Sequence, residues 1–348
     1  MTGHRVHEQV EIPIREPTQV GEARRRVTTL ATRAGLDETQ AGTCAVIASE
    51  MATNLVKHAQ DGDIVLRTLG NGAVGGIEMI SIDRGPGIDN INRAIQDGHS
   101  TAGSSGSGLG AMRRMASEFD VHSLPGRGTV LVARVWERTA STLPTLPRFL
   151  TGVICLPIPG EQVSGDAWLS ESSGRRTLCA VVDGLGHGPL AAEAAQLAIK
   201  TFRAHPDLAL SELTECVHDA LRSTRGAVFG AAEILHDQRL INFVGVGNIM
   251  AAVHLNGTSR HLVFQDGILG HQIGRIKELQ YPWTSESMFV MCSDGIKTQW
   301  AVNPYQGLVD HDPSLIAATL YRDFSRGRDD TTVMVLKAVS SSVEQAGT

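Results

Sequence analysis

The stretch "VVDGLGHG", residues 181–188, decides how this chain is read. Two β-branched valines favour a strand. They end on a carboxylate, and three glycines and a histidine follow within five residues. Asp before Gly is a turn signal, so an apolar strand hands an acid to a turn almost without side chains. "SIDRGPGID", residues 81–89, repeats the arrangement a hundred residues earlier. The two turns belong either to one site or to two.

Working outward from Asp183, acids recur at strand ends and in adjoining turns: Asp166 in "VSGDAW", Asp294 in "VMCSDGI", and Asp329 and Asp330 in "GRDDTTVMV". Each alone reads as an ordinary turn aspartate. Brought together, several carboxylates repel unless a cation holds them. Oxygen-only ligands favour magnesium or manganese over zinc. The glycine after Asp183 frees the Gly184 carbonyl as a further ligand.

The first half carries a different set. Glu50 and Asn54 stand four apart in the helical stretch "DETQAGTCAVIASEMATNLVKHA" and project from one face. They form either a solvated polar stripe or a general base beside a magnesium ligand. Asp83 ends a strand before Gly85 and Gly87 and can accept from an exocyclic amine, while glycine lets a flat base approach the backbone. "GSGLGAM", with Gly106, Gly108 and Gly110, opens a helix whose bare amides suit a phosphate. "GRGT" then supplies a turn and the Thr129 hydroxyl. Gly106, Gly108 and Ala111 also fit the dinucleotide fingerprint, but a loop precedes them and no acid follows at about twenty residues.

The ordered set Glu-x3-Asn, Asp-x-Gly-x-Gly, Gly-x-Gly-x-Gly and Gly-Thr resembles the ATPase fold of gyrase, Hsp90 and histidine kinases (the GHKL fold). "DRGPGI", "QDGHSTAGSSGSGLGAMRRM" and "GRGT" resemble more closely the small serine/threonine kinases of bacterial anti-sigma regulation, the RsbT-like group. That resemblance covers about residues 8–137. It implies that Glu50 is the base, Asn54 holds magnesium, Asp83 reads adenine, Gly106, Gly108 and Gly110 cover the phosphates of ATP, and Thr129 completes the pocket. The second half resembles the metal-dependent serine/threonine phosphatases of the 2C class, in their RsbX-like bacterial branch, over about 151–338. This implies that Asp183 bridges two metals, Asp294 and Asp329 ligate the first, the Gly184 carbonyl ligates the second and Asp166 adds to the cluster. The two metals, magnesium or manganese, would activate a water for attack on a phosphoserine. Asp330 stands where eukaryotic members carry asparagine, which leaves open which of Asp329 and Asp330 ligates. His187 is either a general acid or a turn histidine. No arginine close before Asp166 plays the phosphate-gripping part known in eukaryotic members.

The expected architecture is therefore two α/β domains. A GHKL sandwich spans 1–137 and a PPM-type α-β-β-α sandwich spans 151–340, with a Pro- and Thr-rich linker at 138–150 and a tail at 341–348. The resemblances imply a bifunctional switch that phosphorylates and dephosphorylates a STAS-domain anti-sigma-factor antagonist, with a sigma factor, a downstream phosphatase or a second copy of the chain as further candidate partners. The rival reading keeps the phosphatase and makes the first half an ATP-dependent binding module that sequesters a sigma factor. Bulk properties fit either. The net charge of -6 argues against a nucleic-acid binder driven by backbone electrostatics. Five scattered cysteines without a C-x-x-C pair favour a reducing compartment with no zinc site. No signal peptide or membrane-length apolar run is read, so the expected location is the cytoplasm.

Overall fold

Asp37 shows how local chemistry sets the first elements. Its side chain accepts from the Gln40 amide at 2.7 Å while the Gln40 side chain accepts from the Asp37 amide at 3.1 Å, a reciprocal cap that starts a 21-residue helix. Gly35, at φ +91°, ends the helix before it, a backbone conformation that glycine adopts without strain.

The structure, a computed structural model, describes residues 9–59, 61–70, 74–96, 108–137, 149–173, 176–235 and 237–339. Gly106, nearly all of the expected linker and the tail lie outside the described residues. The first elements are β1 (Gln9–Ile14), α1 (Thr18–Ala34), α2 (Glu38–His58), β2 (Gly62–Gly70), β3 (Gly75–Ile82), α3 (Ile91–Ile95), α4 (Gly108–Met115), β4 (Glu118–Ser123) and β5 (Thr129–Trp136). Then follow β6 (Phe149–Leu156), β7 (Asp166–Ser173), β8 (Arg176–Gly184), α5 (Pro189–Ala204), α6 (Leu210–Ala220), β9 (Ala227–Leu235), β10 (Leu240–Val246), β11 (Met250–Leu255) and β12 (Thr258–His261). The last are β13 (Gly267–Ile268), β14 (Gln272–Ile273), β15 (Leu279–Pro282), β16 (Met288–Cys292), α7 (Pro313–Phe324) and β17 (Thr331–Ala338).

The first unit is an antiparallel sheet in the order β1-β2-β3-β5-β4. One face packs on α1 and α2 around Val27, Cys44, Met51, Leu66 and Met79. The opposite face carries a row of charges placed by register: Arg67 opposes Glu78, Glu78 opposes Arg134, and Arg134 opposes Glu118. Glu78 is 0% exposed. It faces Arg67 at 2.7 Å and Arg134 at 2.7 Å. By packing, residues 305–322 belong to this unit although the chain reaches them late. From there Asp312 grips the Arg134 guanidinium through both carboxylate oxygens, at 2.6 and 2.7 Å, and Ser314 donates to Glu78 at 2.8 Å. Such a bidentate pair is strong and directional. Packing thus assigns residues 305–322 to the first unit, although in chain order they lie far beyond the boundary expected at 137.

The second unit holds two five-stranded antiparallel sheets, β15-β10-β9-β8-β7 and β12-β11-β16-β17-β6, and the two-stranded β13-β14. Val181, Ile234, Phe243, Phe289, Met291 and Met334 belong to the buried cluster formed by side chains of both sheets. On the first sheet's other side, α5 and α6 bury Ala198, Phe202, Leu213 and Val217.

The helix that "GSGLGAM" opens stops at Met115, and residues 118–123 are a strand, β4. Residues 166–173 form the strand β7, which delivers Asp166 at its first position. α7 follows α5 and α6 as a third helix after residue 150.

Candidate functional sites

In the first unit the structure brings together most of the expected residues. Glu50 and Asn54 lie on α2, and both meet the first residue of α4. A side chain at Gly108 would stand 3.4 Å from Glu50 Oε2 and 3.7 Å from the Asn54 amide group. A carboxylate, an amide and a helix N-terminus therefore converge where an anion is favoured by the unpaired amides. Gly110, the third residue of the same helix, is buried.

Asp83 follows β3. Its Oδ1 accepts from the Gly85 amide at 2.7 Å and the Thr129 amide at 3.2 Å. Its Oδ2 has no hydrogen-bond partner among the described residues, so it can accept from a ligand amine. Burial pushes this carboxyl above its usual range, against the pull of those two amides. Gly87, at φ +75°, packs where a Cβ would fall 2.2 Å from the Leu124 carbonyl. Gly85 likewise leaves no room for a Cβ beside the His58 carbonyl. The Thr129 hydroxyl is held by Ser123 at 2.9 Å.

In the second unit, β-sheet register sets the acids. Asp166 and Asp183 are direct cross-strand partners on β7 and β8. Asp183, Asp294 and Asp329 line one groove of about 970 Å³. Burial, then Asp166, Asp294, Asp329 and Asp330, push the Asp183 carboxyl upward. Burial also raises Asp166, whose Oδ2 accepts from Ser293 at 2.7 Å while Oδ1 is buried without a hydrogen-bond partner. Among the described residues no three side chains already form a closed metal cage. The donor set is nevertheless all oxygen, mutually repelling and under-satisfied, which fits a hard divalent cation. Gly184 is buried against α5, where a Cβ would sit 2.2 Å from the Ala191 carbonyl.

The adjacent acids separate cleanly. Asp330 Oδ1 accepts from the Ile158 amide and Oδ2 from the Gly165 amide, each at 2.8 Å. Both its oxygens are thus committed to backbone, whereas Asp329 faces the groove. His187 is turned elsewhere: its ring is 60% exposed and its Nδ1 meets Glu161 at 3.0 Å. It is not among the groove-lining residues. Asn248, which donates to Asp294 at 2.7 Å, and Ser293 are site residues the sequence reading gave no role. The signal for Asn248 was present in "GVGN", a glycine turn that leaves a strand as the aspartate turns do.

These two units define a nucleotide-binding α/β sandwich and a metal-dependent phosphatase fold in one chain. Residues 15–135 match the histidine kinase-like ATPase domain, and residues 173–339 match stage II sporulation protein E. The chain is 37% identical over 90 residues to the serine/threonine-protein kinase RsbT of Bacillus subtilis (strain 168), covering 26% of this chain and 68% of that protein. It is 25% identical over 138 residues to the phosphoserine phosphatase RsbX of the same organism, covering 39% of this chain and 69% of that protein. A solved chain described under "The bacterial stressosome: a modular system that has been adapted to control secondary messenger signaling" aligns with 55% of this chain and 100% of its own length, at 26% identity and TM-score 0.52. The chain belongs to the Rsb regulatory family: an RsbT-like ATPase domain joined to a PP2C-type serine/threonine phosphatase domain of the SpoIIE kind. Among the described residues no helix is long and apolar enough to cross a membrane.

Proposed function

We propose that the chain is a bifunctional switch: the first unit phosphorylates a serine of a STAS-domain anti-sigma-factor antagonist, and the second removes that phosphate. The observation that carries the reading is that each unit gathers its own set of reactive side chains. Glu50 and Asn54 meet at Gly108 in one, and Asp183, Asp294 and Asp329 share a groove in the other.

In the kinase reaction Asp83 Oδ2 accepts a hydrogen bond from the adenine amine of ATP, and Asn54 would hold magnesium. The α4 amides from Gly108 and Gly110 cover the phosphates, with Gly106 before them. As the bond to the γ-phosphorus breaks and ADP leaves, the serine oxygen takes the phosphoryl group and Glu50 takes the serine's proton. In the phosphatase reaction Asp183, Asp294 and Asp329, with Asp166 and the Gly184 carbonyl, would hold magnesium or manganese. Divalent ions bound there supply Lewis-acid chemistry toward water and the phosphoryl group. Asn248 and Ser293 fix the carboxylates they bond, and Asp330 ties the backbone at Ile158 and Gly165. His187, paired with Glu161, has no part in this scheme. The cytoplasm is the setting we propose.

An intact-mass time course of a STAS protein with ATP and magnesium tests the reading. Wild-type protein should hold phosphoserine at a partial level. Asp294→Ala should drive it toward completion, and Glu50→Ala should keep it at zero. If Asp294→Ala accumulates no more phosphoserine than wild type, the opposed pair fails for that substrate.

A further inference from the structure

The groove in the second unit is lined by Asp183, Asp266, Asp294 and Asp329, with no lysine or arginine among its lining residues. Two divalent cations would only balance these four carboxylates, so no side chain of the lining adds positive charge to hold a phosphomonoester dianion. A substrate-gripping cation belongs at the rim.

Arg225 occupies that place. It precedes β9 in the loop "LRSTRG". This loop is pinned on both sides: Thr224 bonds the Leu221 carbonyl through its amide at 2.9 Å and its hydroxyl at 2.8 Å. The Gly226 carbonyl accepts from the Leu185 amide at 3.1 Å. The carbonyl of Arg225 itself meets Nε2 of His271, a groove residue, at 2.8 Å. The side chain lies over the Asp183 turn, with Nη1 3.1 Å from the position a Cβ would take on Gly186. Gly186 stands at φ +86°, so glycine here permits both the turn and the approach of the guanidinium.

The guanidinium itself is exposed and has no ion pair or hydrogen bond among the described residues. Arg222, in the same loop, pairs with Asp219. Arg326 donates from Nε to the Ile296 carbonyl at 3.3 Å, and its charge acts on Asp294 rather than on the Asp183 turn. A fork of donors on a fixed backbone, beside the Asp183 turn, suits the non-bridging oxygens of a phosphoryl group.

We infer that Arg225 binds the phosphate of the phosphoserine substrate, supplying from the β9 side the grip that no arginine near Asp166 provides. The inference rests on the phosphatase reading of the groove. Steady-state hydrolysis of a phosphoserine peptide with magnesium or manganese, together with calorimetric titration of inorganic phosphate into the metal-loaded protein, tests it. Loss of charge-assisted hydrogen bonds predicts that Arg225→Ala raises KM and the phosphate Kd about 10- to 100-fold, with kcat changed far less. Arg225→Lys, a point charge without the fork, should recover part of both. If wild type hydrolyses the peptide while Arg225→Ala leaves KM and phosphate Kd within twofold, the inference is overturned and the phosphatase reading stands. A fall in kcat alone, with phosphate affinity unchanged, overturns it equally. Wild-type protein without metal-dependent hydrolysis would sink both.

Discussion

Glu78→Gln isolates the charge row on the first unit's sheet. The substitution keeps the shape of the side chain and removes its charge, while Arg67, 3% exposed, and Arg134, 8% exposed, stay buried. Three charged or charge-assisted contacts converge on the native carboxylate: Arg67 at 2.7 Å, Arg134 at 2.7 Å and Ser314 at 2.8 Å. Arg134 keeps Asp312 and Glu118, so the loss is smaller than three independent bonds. Breaking a buried ion pair on one side costs about 3–5 kcal/mol. For a domain of this size each kcal/mol moves Tm by about 2–4 °C, so a fall on the order of 10 °C is expected. Glu118→Gln is the control: its side chain is 50% exposed, and its loss should cost no more than about 1 kcal/mol. The same charge sets an acid limb. Burial alone would raise the Glu78 carboxyl, but Arg67 and Arg134 outweigh it and hold it below its usual value. Its contribution is therefore present above the unfolded carboxylate pKa and lost as pH falls through the lower folded one. Calorimetric unfolding of the full chain between about pH 3 and 7 reads both effects, the flatter acid limb of Glu78→Gln included. A Tm within 2 °C of wild type at neutral pH would show that the row does not stabilise this unit.

Asp83→Ala removes the acceptor proposed for adenine and should weaken ATP by about 1–3 kcal/mol in calorimetry; unchanged affinity would place the base elsewhere. Asp329→Ala should abolish metal-dependent peptide hydrolysis with little change in Tm. Asp330→Ala frees two amides, at Ile158 and Gly165, and should lower Tm by several degrees; equal Tm in the two variants would erase the distinction between them. Excess chelator should stop hydrolysis by wild type, and activity that survives it rules out the proposed metal chemistry.

What the sequence made legible was local. The Gly35 stop, the Asp37 cap and the aspartate turns are each set by chemistry written within a few residues. What it hid depends on pairing. Phe119 keeps helical spacing from Met115, so β4 reads as more helix until its partner β5 is known. β7 carries "LSESS", a half-exposed polar end with little strand signature. The row Arg67, Glu78, Arg134 is three isolated charges until register aligns them. Asp329 and Asp330 are indistinguishable as neighbours; amides from residues 158 and 165 tell them apart. Arg225 is 42 positions from Asp183 in the chain, and only the pairing of β8 with β9 brings its loop to that turn.

Residues 305–322 complete the first unit from near the far end of the chain. During synthesis, the sheet of the first unit emerges long before Asp312 and Ser314 do. Its charged face then has to wait, with Glu78 lacking the Ser314 hydroxyl and Arg134 lacking its bidentate partner. Domains generally fold as units, the N-terminal one first; here the earlier unit reaches its final packing only after most of the later one has been made. A fragment cut at the linker would remain in that waiting state, its buried acids and arginines turned to water. Supplying residues 305–322 as a separate peptide would be the way to close it.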